Sequence, residues 1–375
     1  MLKSLYVLLA GSIVLAAAVA PLEADDPVST TVSFNREIIR IIARKCEPCH
    51  APGGLAMSLS DYRDARAWGR AIREELVERR MPPAIVARGY GRYESDPSLN
   101  TREMATFLTW LDGGMPRGDD SDRPPKTDAA DPVGEHETGA SVRLSLPVQM
   151  VPAGEDVVIR SVTVDARAAA GRPIARVQLR PGSRRVLRGA IVFATSTGSA
   201  PASLWMGSWL PWQHAVTPPP SHAFHLPAGA RLVVKLYYRG ADIDLTDRSE
   251  IDLIFAPDDT RAGIDDVVVD ALPDRPSPRV RGSVRLSQPA TIWAIHPVAD
   301  RSVTSMELRA ERPDKSVEVL LWIPKANADW PVSVVMQEPV SLPAGSIVSL
   351  VAETAEGASG ASPPRVTLSV LSRGR

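Results

Sequence analysis

Five consecutive residues, Cys46-Glu-Pro-Cys-His50, hold the densest chemistry in this 375-residue chain and include both of its cysteines. Two thiols three positions apart, followed at once by an imidazole, form the C-x-x-C-H pattern that attaches haem c. The thiols add across the porphyrin vinyl groups and the next residue becomes the proximal iron ligand. The spacing has a mechanical reason: at a helix end the two sulfurs straddle one porphyrin edge, which forces the histidine beneath the iron. The expectation is therefore one covalently bound haem c, held by Cys46 and Cys49, with His50 on the iron. A thioether opposite the imidazole favours ferrous iron. Among Met57, Met81, Met104 and Met115, Met81 is the expected distal ligand, because it opens a stiff Met81-Pro-Pro turn; Met104 and Met57 read as packing residues. A thioredoxin-like redox pair would follow a strand, whereas here a helical pattern precedes it. A zinc cage needs a second ligand pair that two cysteines do not supply.

The elements that must position these groups read as helices. Phe34, Ile38, Ile41 and Ile42 fall on one helix face that ends at Cys46. Asp61 reads as the N-cap of a second helix with Ala65, Trp68, Ile72 and Leu76 as its apolar stripe. Arg63, Arg66, Arg70 and Arg73 lie on another face, read as solvated. That helix must stop at Pro82-Pro83. A third helix is expected from Thr101, as cap, to Asp112, with Met104, Leu108 and Leu111 inward and Gly113-Gly114 ending it. Trp68 and Trp110 read as core aromatics around a buried porphyrin.

Composition sets the frame around that segment. Hydrophobic residues make up 44% and charged residues 23%, which suits a folded protein of more than one core and not a disordered chain or a multi-span membrane protein. Lys and Arg number 43 against 44 Asp and Glu, a net charge of -1, so no electrostatic footprint for nucleic acid exists. Lys3 followed by an apolar run from Leu5 to Ala20 reads as a secretory signal peptide over residues 1–24. It implies an exported, periplasmic or extracytoplasmic protein with no membrane span in the mature chain. Residues 34–118 form the helical unit, and 119–140, rich in Asp, Pro, Gly and Thr, form a linker.

Beyond Ser141 the texture changes to short Val, Ile and Leu runs between Gly and Pro, such as 157–164, 190–194, 232–238, 251–255 and 317–323. Val151-Pro-Ala-Gly, Leu226-Pro-Ala-Gly and Leu342-Pro-Ala-Gly repeat a turn that feeds a strand. The fold class expected is multidomain: a small all-α haem domain, then an all-β region of two consecutive antiparallel, jelly-roll-like sandwiches over 141–258 and 264–374. His214, His222 and His225 lie close in sequence, but Pro218-Pro219-Pro220 interrupts them and they read as loop histidines. No Gly-rich phosphate loop or local Ser-His-Asp arrangement stands out.

A resemblance follows from Cys46-Glu-Pro-Cys-His50, Ala51-Pro-Gly-Gly, Met57-Ser-Leu, Tyr62, Ala65-Arg-Ala-Trp68, Met81-Pro-Pro and Trp110-Leu-Asp-Gly-Gly114. This stretch resembles the small cytochrome c domain of certain exported bacterial proteins. There it is fused ahead of a double β-sandwich similar to the copper type II, ascorbate-dependent monooxygenases of the peptidylglycine hydroxylase kind. In the β half the copper-ligand positions of that family fall on Arg188, Gly189, Tyr237, Val298 and Asp300, with His296 out of position, and no late methionine occurs near Pro363 to Leu371. Copper needs imidazole or thioether donors at bonding distance, so copper is not expected. The resemblance implies an exported c-type cytochrome that carries electrons through one haem to a redox partner protein or a small donor or acceptor, with a non-catalytic β module for partner or ligand binding. The alternatives are a copper-dependent monooxygenase or hydroxylase fed by its own cytochrome domain, which would make it an oxidoreductase, and a structural binding protein of the cell envelope.

Overall fold

The structure is a computed structural model describing residues 30–83, 85–125, 140–195, 203–213, 215–226, 229–272, 277–355 and 362–373. The signal peptide expected over 1–24 and most of the expected linker lie outside the described residues. So do His214 and the Pro-Ala of the second Pro-Ala-Gly turn.

Strand takes 41% and helix 16% of the structure, and this corrects the expected fold class. The N-terminal segment does not stand as a small all-α haem domain. A π-helical turn, Phe34–Ile38, runs into α1 (Ile39–Lys45) and then α2 (Glu47–His50); α3 (Tyr62–Ala67), α4 (Gly69–Val77) and α5 (Thr101–Asp112) complete the helices. The second helix expected from Asp61 is broken at Trp68. Asp61 does cap α3, its carboxylate accepting from the Asp64 amide at 2.9 Å. The chain then restarts at Gly69, where a Cβ would collide with the Met115 sulfur. The α5 cap is Asn100 rather than Thr101, in a reciprocal capping box with Glu103. Phe34, Phe107 and Trp110 form the centre of this segment's core, with Phe107 edge-on to Trp110 at 5.8 Å. Trp68, expected in that core, is 45% exposed.

Between α4 and α5 the described residues form no helix, and residues 85–94 join the β part. The Ala87 amide donates to the Trp322 carbonyl, the Glu94 amide to that of Val335, and Tyr93 forms a bridge with Met336. Ile85, Val86 and Tyr93 pack on the core of the second sandwich. The helical segment is thus fastened to strands more than two hundred residues away, by backbone hydrogen bonds that a periodicity argument does not reveal.

The first sandwich comprises β1 (Ser141–Ser145), β2 (Gln149–Val151), β3 (Val158–Asp165), β4 (Ile174–Arg180), β5 (Leu187–Thr195), β6 (Ser203–Trp209), β7 (Arg231–Tyr238), β8 (Leu245–Asp247) and β9 (Glu250–Phe255). Its sheets run in the orders β1-β9-β4 and β3-β7-β5-β6, with the short pair β2-β8 beside them. The second comprises β10 (Gly263–Asp270), β11 (Arg279–Arg285), β12 (Ala290–Val298), β13 (Val303–Glu311), β14 (Val317–Ile323), β15 (Val334–Leu342), β16 (Ile347–Thr354) and β17 (Arg365–Ser372). Its sheets are β10-β17-β12-β15 and β11-β16-β13-β14, the strand orders of an eight-stranded jelly roll. Every pairing between these strands is antiparallel. Pro152-Ala-Gly154 and Pro343-Ala-Gly345 are the turns into β3 and β16, each glycine at positive φ (+67° and +84°), where a Cβ is unfavourable. The two sandwiches share a core: Trp293 and Ala294 of β12 pack with Trp205, Phe224 and the buried face of β7.

Candidate functional site: a cavity between the helical segment and the first sandwich

The local fold around Cys46 follows from backbone hydrogen bonds. Cys46 closes α1 through its amide to the Ile42 carbonyl at 2.8 Å, and its own carbonyl accepts from the Cys49 and His50 amides at 3.0 and 2.8 Å. Cys46, Cys49 and His50 are thereby set on the single turn of α2. The chain then folds back beneath that turn, the Ala56 amide donating to the Cys49 carbonyl at 3.2 Å and the Leu59 amide to the His50 carbonyl at 2.9 Å. Gly54 makes this fold-back feasible, because a Cβ there would come within 2.6 Å of the Cys49 carbonyl oxygen. The His50 Nδ1–H donates to the Met57 carbonyl at 2.9 Å, which leaves Nε2 as the ring's acceptor.

Cys46, Cys49, His50 and Met81 all line one cavity of about 430 Å³. The structure therefore brings together the four residues singled out from the sequence, although Met81 is 40% exposed. Leu55, Leu59, Ile72, Leu76 and Phe107 supply the apolar wall on the helical side. The opposite wall comes from the β part: Arg185, Arg188, Arg239 and Asp242 from the first sandwich, with Trp212 and Trp330. These residues were not grouped from the sequence, since they lie in separate loops and strand ends; only Arg188 was noticed, as a position lacking a copper ligand.

Burial dominates the electrostatics of the helical wall. It pushes the Cys46 thiol up to about 12, helped by the neighbouring Cys49 and Glu47. The Cys49 thiol is also pushed up to about 12 by burial, with Arg188 opposing the rise. Both groups are protonated at neutral pH. Burial lowers the His50 imidazole below its ordinary value, and the hydrogen bond to Met57 partly offsets this, so the ring is neutral. On the sandwich wall, burial first and repulsion from Arg239 second lower the Arg188 guanidinium below the usual arginine value.

The other sequence candidates are elsewhere. His222 Nδ1 lies 3.3 Å from the Pro220 carbonyl and His225 Nε2 3.3 Å from that of Ala262, so both rings face loop backbone. Tyr237 is buried in β7. His296, on β12, is buried between the sandwiches, with Nδ1 2.7 Å from the Ser333 hydroxyl and its ring stacked on Trp205 at 6.0 Å.

No protein-family model matches the chain, and no curated protein matches it. Among solved structures it is similar to recombinant N-glycanase F (TM-score 0.28, 9% identity, covering 62% of this chain and 96% of that one). It is also similar to a crystal structure of peptide-N(4)-(N-acetyl-β-D-glucosaminyl) asparagine amidase (TM-score 0.31, 11% identity, 62% and 96% covered). A third is the major capsid protein P2 of bacteriophage PM2 (TM-score 0.25, 9% identity, 62% and 97% covered). TM-scores of that size transfer none of those proteins' chemistry to this chain.

These findings correct the expected identity. Neither the cytochrome c domain nor the copper-monooxygenase-like sandwich has a matching family model or curated relative, and the structure is mostly β. No group of three or more His, Cys, Asp or Glu side chains converges as on a bound metal ion among the described residues. Cys46 and Cys49 are not joined to each other. The space they face is not enclosed by a helical haem domain but shared with the sandwich and its arginines. Haem c as cofactor, the electron-carrier function, and the hydroxylase and envelope-structure alternatives are accordingly set aside.

Proposed function

We propose that this is a binding protein whose cavity between the helical segment and the first sandwich takes a small, mainly apolar molecule. The observation that carries the reading is the cavity itself: about 430 Å³, walled by aliphatic and aromatic side chains from two parts of the chain. This lies within the size range, roughly 300–1,000 Å³, of sites that enclose a small ligand. On the helical wall Cys46, Cys49, His50 and Met81 are the polar and sulfur contacts: two protonated thiols that donate weakly, one Nε2 that accepts, and one polarizable thioether; charged side chains of the sandwich lie opposite. Lys3 and the apolar run from Leu5 to Ala20 support an exported location. No described helix is long and apolar enough to cross a membrane. The balanced charge supports a small-molecule ligand over nucleic acid.

Titration with the neutral fluorophore N-phenyl-1-naphthylamine tests the reading. Saturable enhancement is expected, together with quenching of tryptophan emission from Trp212 and Trp330. Ala71→Trp, which fills the cavity from α4, should weaken binding about tenfold or more while leaving the far-UV circular dichroism unchanged. No saturable signal, or equal binding by the filled variant, would defeat the proposal.

A further inference from the structure

Resting on the cavity reading above, we infer that the ligand is an organic anion with an apolar body, and that Arg188 and Arg239 on the sandwich wall are the specificity-determining residues that receive its acid group. Arg188 sits where the pairing of β5 with β7 shifts register between Leu187 and Gly189. A bulge of this kind re-aims one side chain out of the ladder's alternation. Arg239 follows β7 directly, its amide donating to the Val186 carbonyl at 2.9 Å, so the two arginines leave adjacent strand ends on one wall. Gly189 has a close neighbour: a Cβ there would meet Pro331 Cγ at 2.5 Å. The glycine lets the Trp330-Pro331 segment close over the strand, and the Trp330 ring takes the Arg188 guanidinium on its face at 4.1 Å.

What distinguishes these two cations from Arg185 is the fate of the nearby carboxylates, and from Lys45 that the Lys45 ammonium already donates to the Asp96 carbonyl at 2.9 Å. Asp242 is paired with Arg185, and Glu75 with Arg80 at 2.9 Å. Asp329 and Asp156, the acids whose charge reaches Arg188, are both taken by Arg301, at 3.4 and 3.9 Å. Neither Arg188 nor Arg239 has an ion pair among the described residues, and the Arg188 Nε–H is buried without an acceptor. Two like charges side by side, one with a buried unfilled donor, cost free energy in the empty protein. A carboxylate, sulfonate or phosphate in the cavity offsets the like-charge repulsion by accepting from the terminal nitrogens of both guanidiniums. The thiols and aliphatic side chains opposite then contact the ligand's apolar body.

The test compares naphthalene-2-carboxylate with its neutral isostere naphthalene-2-carboxamide by calorimetry, in the full chain and in Arg188→Gln/Arg239→Gln. The carboxylate should bind the wild-type protein about tenfold or more tightly than the carboxamide, as a charge-assisted pair warrants. In the double variant that ratio should fall to within about twofold, chiefly through loss of carboxylate affinity. Arg188→Lys, which keeps the charge but loses the planar fork, should give an intermediate ratio. Equal wild-type affinities, a ratio that survives the double substitution, or a double variant that loses both ligands alike each overturn the inference. Binding of the carboxamide alone leaves the cavity reading standing, and binding of neither compound removes both.

Discussion

Cys46 and Cys49 show how burial sets the chemistry of a residue irrespective of its motif. The cations that oppose the rise, Lys45 at Cys46 and Arg188 across the cavity at Cys49, do not reverse it, so desolvation of the thiolate prevails at both positions. The thiolate is the reactive form, and a thiol titrating near 12 holds about a thousandfold less of it at pH 8 than an ordinary cysteine does. Iodoacetamide at pH 8, followed by mass spectrometry, should therefore modify the native protein at least about tenfold more slowly than the urea-unfolded chain. N-phenyl-1-naphthylamine should slow native modification further. Native modification at the unfolded rate would show that the thiols are not enclosed. His50 follows the same logic: its Nδ1–H is committed to Met57, which leaves a neutral acceptor facing the cavity.

The cavity depends on elements too short to be stable alone. The single turn α2 is held from above by α1 and from below by the return of the chain at Gly54. Isolated helices of this length do not persist in water, so tertiary support is what keeps the two thiols and the imidazole on one wall. Gly54→Ala forces a methyl group against the Cys49 carbonyl. It should cost roughly 1–3 kcal/mol in urea unfolding and weaken N-phenyl-1-naphthylamine binding, since the turn and the Met57 acceptor shift together. Undiminished stability would mean that the fold-back is not tight. At this scale much was legible from the chain: the apolar runs at 157–164, 232–238 and 317–323 coincide with or overlap β3, β7 and β14, and α5 spans Thr101–Asp112. The break at Trp68 was not, because the apolar stripe through Ala65, Trp68, Ile72 and Leu76 has helical spacing on either side of it. The collision that a side chain at Gly69 would have with Met115 involves residues far apart in sequence.

At the scale of the whole molecule, the two sandwiches are joined by a buried aromatic contact that encloses the His296 ring. His296 lies among Trp205, Phe193 and Ser333, and burial, with a smaller contribution from Lys235, lowers its imidazole to about 3. Below pH 6.5 the unfolded chain protonates this histidine while the folded protein does not, so ν_U exceeds ν_N and stability falls as pH drops towards 3. The slope is about 1.4 kcal/mol per pH unit at most. Asp266, raised to about 6 by burial while accepting from the Trp205 amide at 2.6 Å, acts with opposite sign between pH 3.8 and 6. The informative quantity is therefore the difference between proteins. Urea unfolding of the wild type and of His296→Gln should diverge progressively on acidification from pH 6.5, the wild type losing more, and parallel profiles would place the ring in contact with water. By itself the amino-acid sequence determined the positions of many strands and helices, because alternation and helical spacing are local, and it marked Cys46, Cys49, His50 and Met81 as residues belonging together. Only the tertiary structure decided what surrounds them. The arginines, Trp212 and Trp330 reach the cavity from strand ends and loops spread over about 150 residues, and their convergence is set by jelly-roll closure and by the bonds of Ala87 and Glu94 to distant carbonyls. Long-range packing of that kind leaves no periodic trace in a chain.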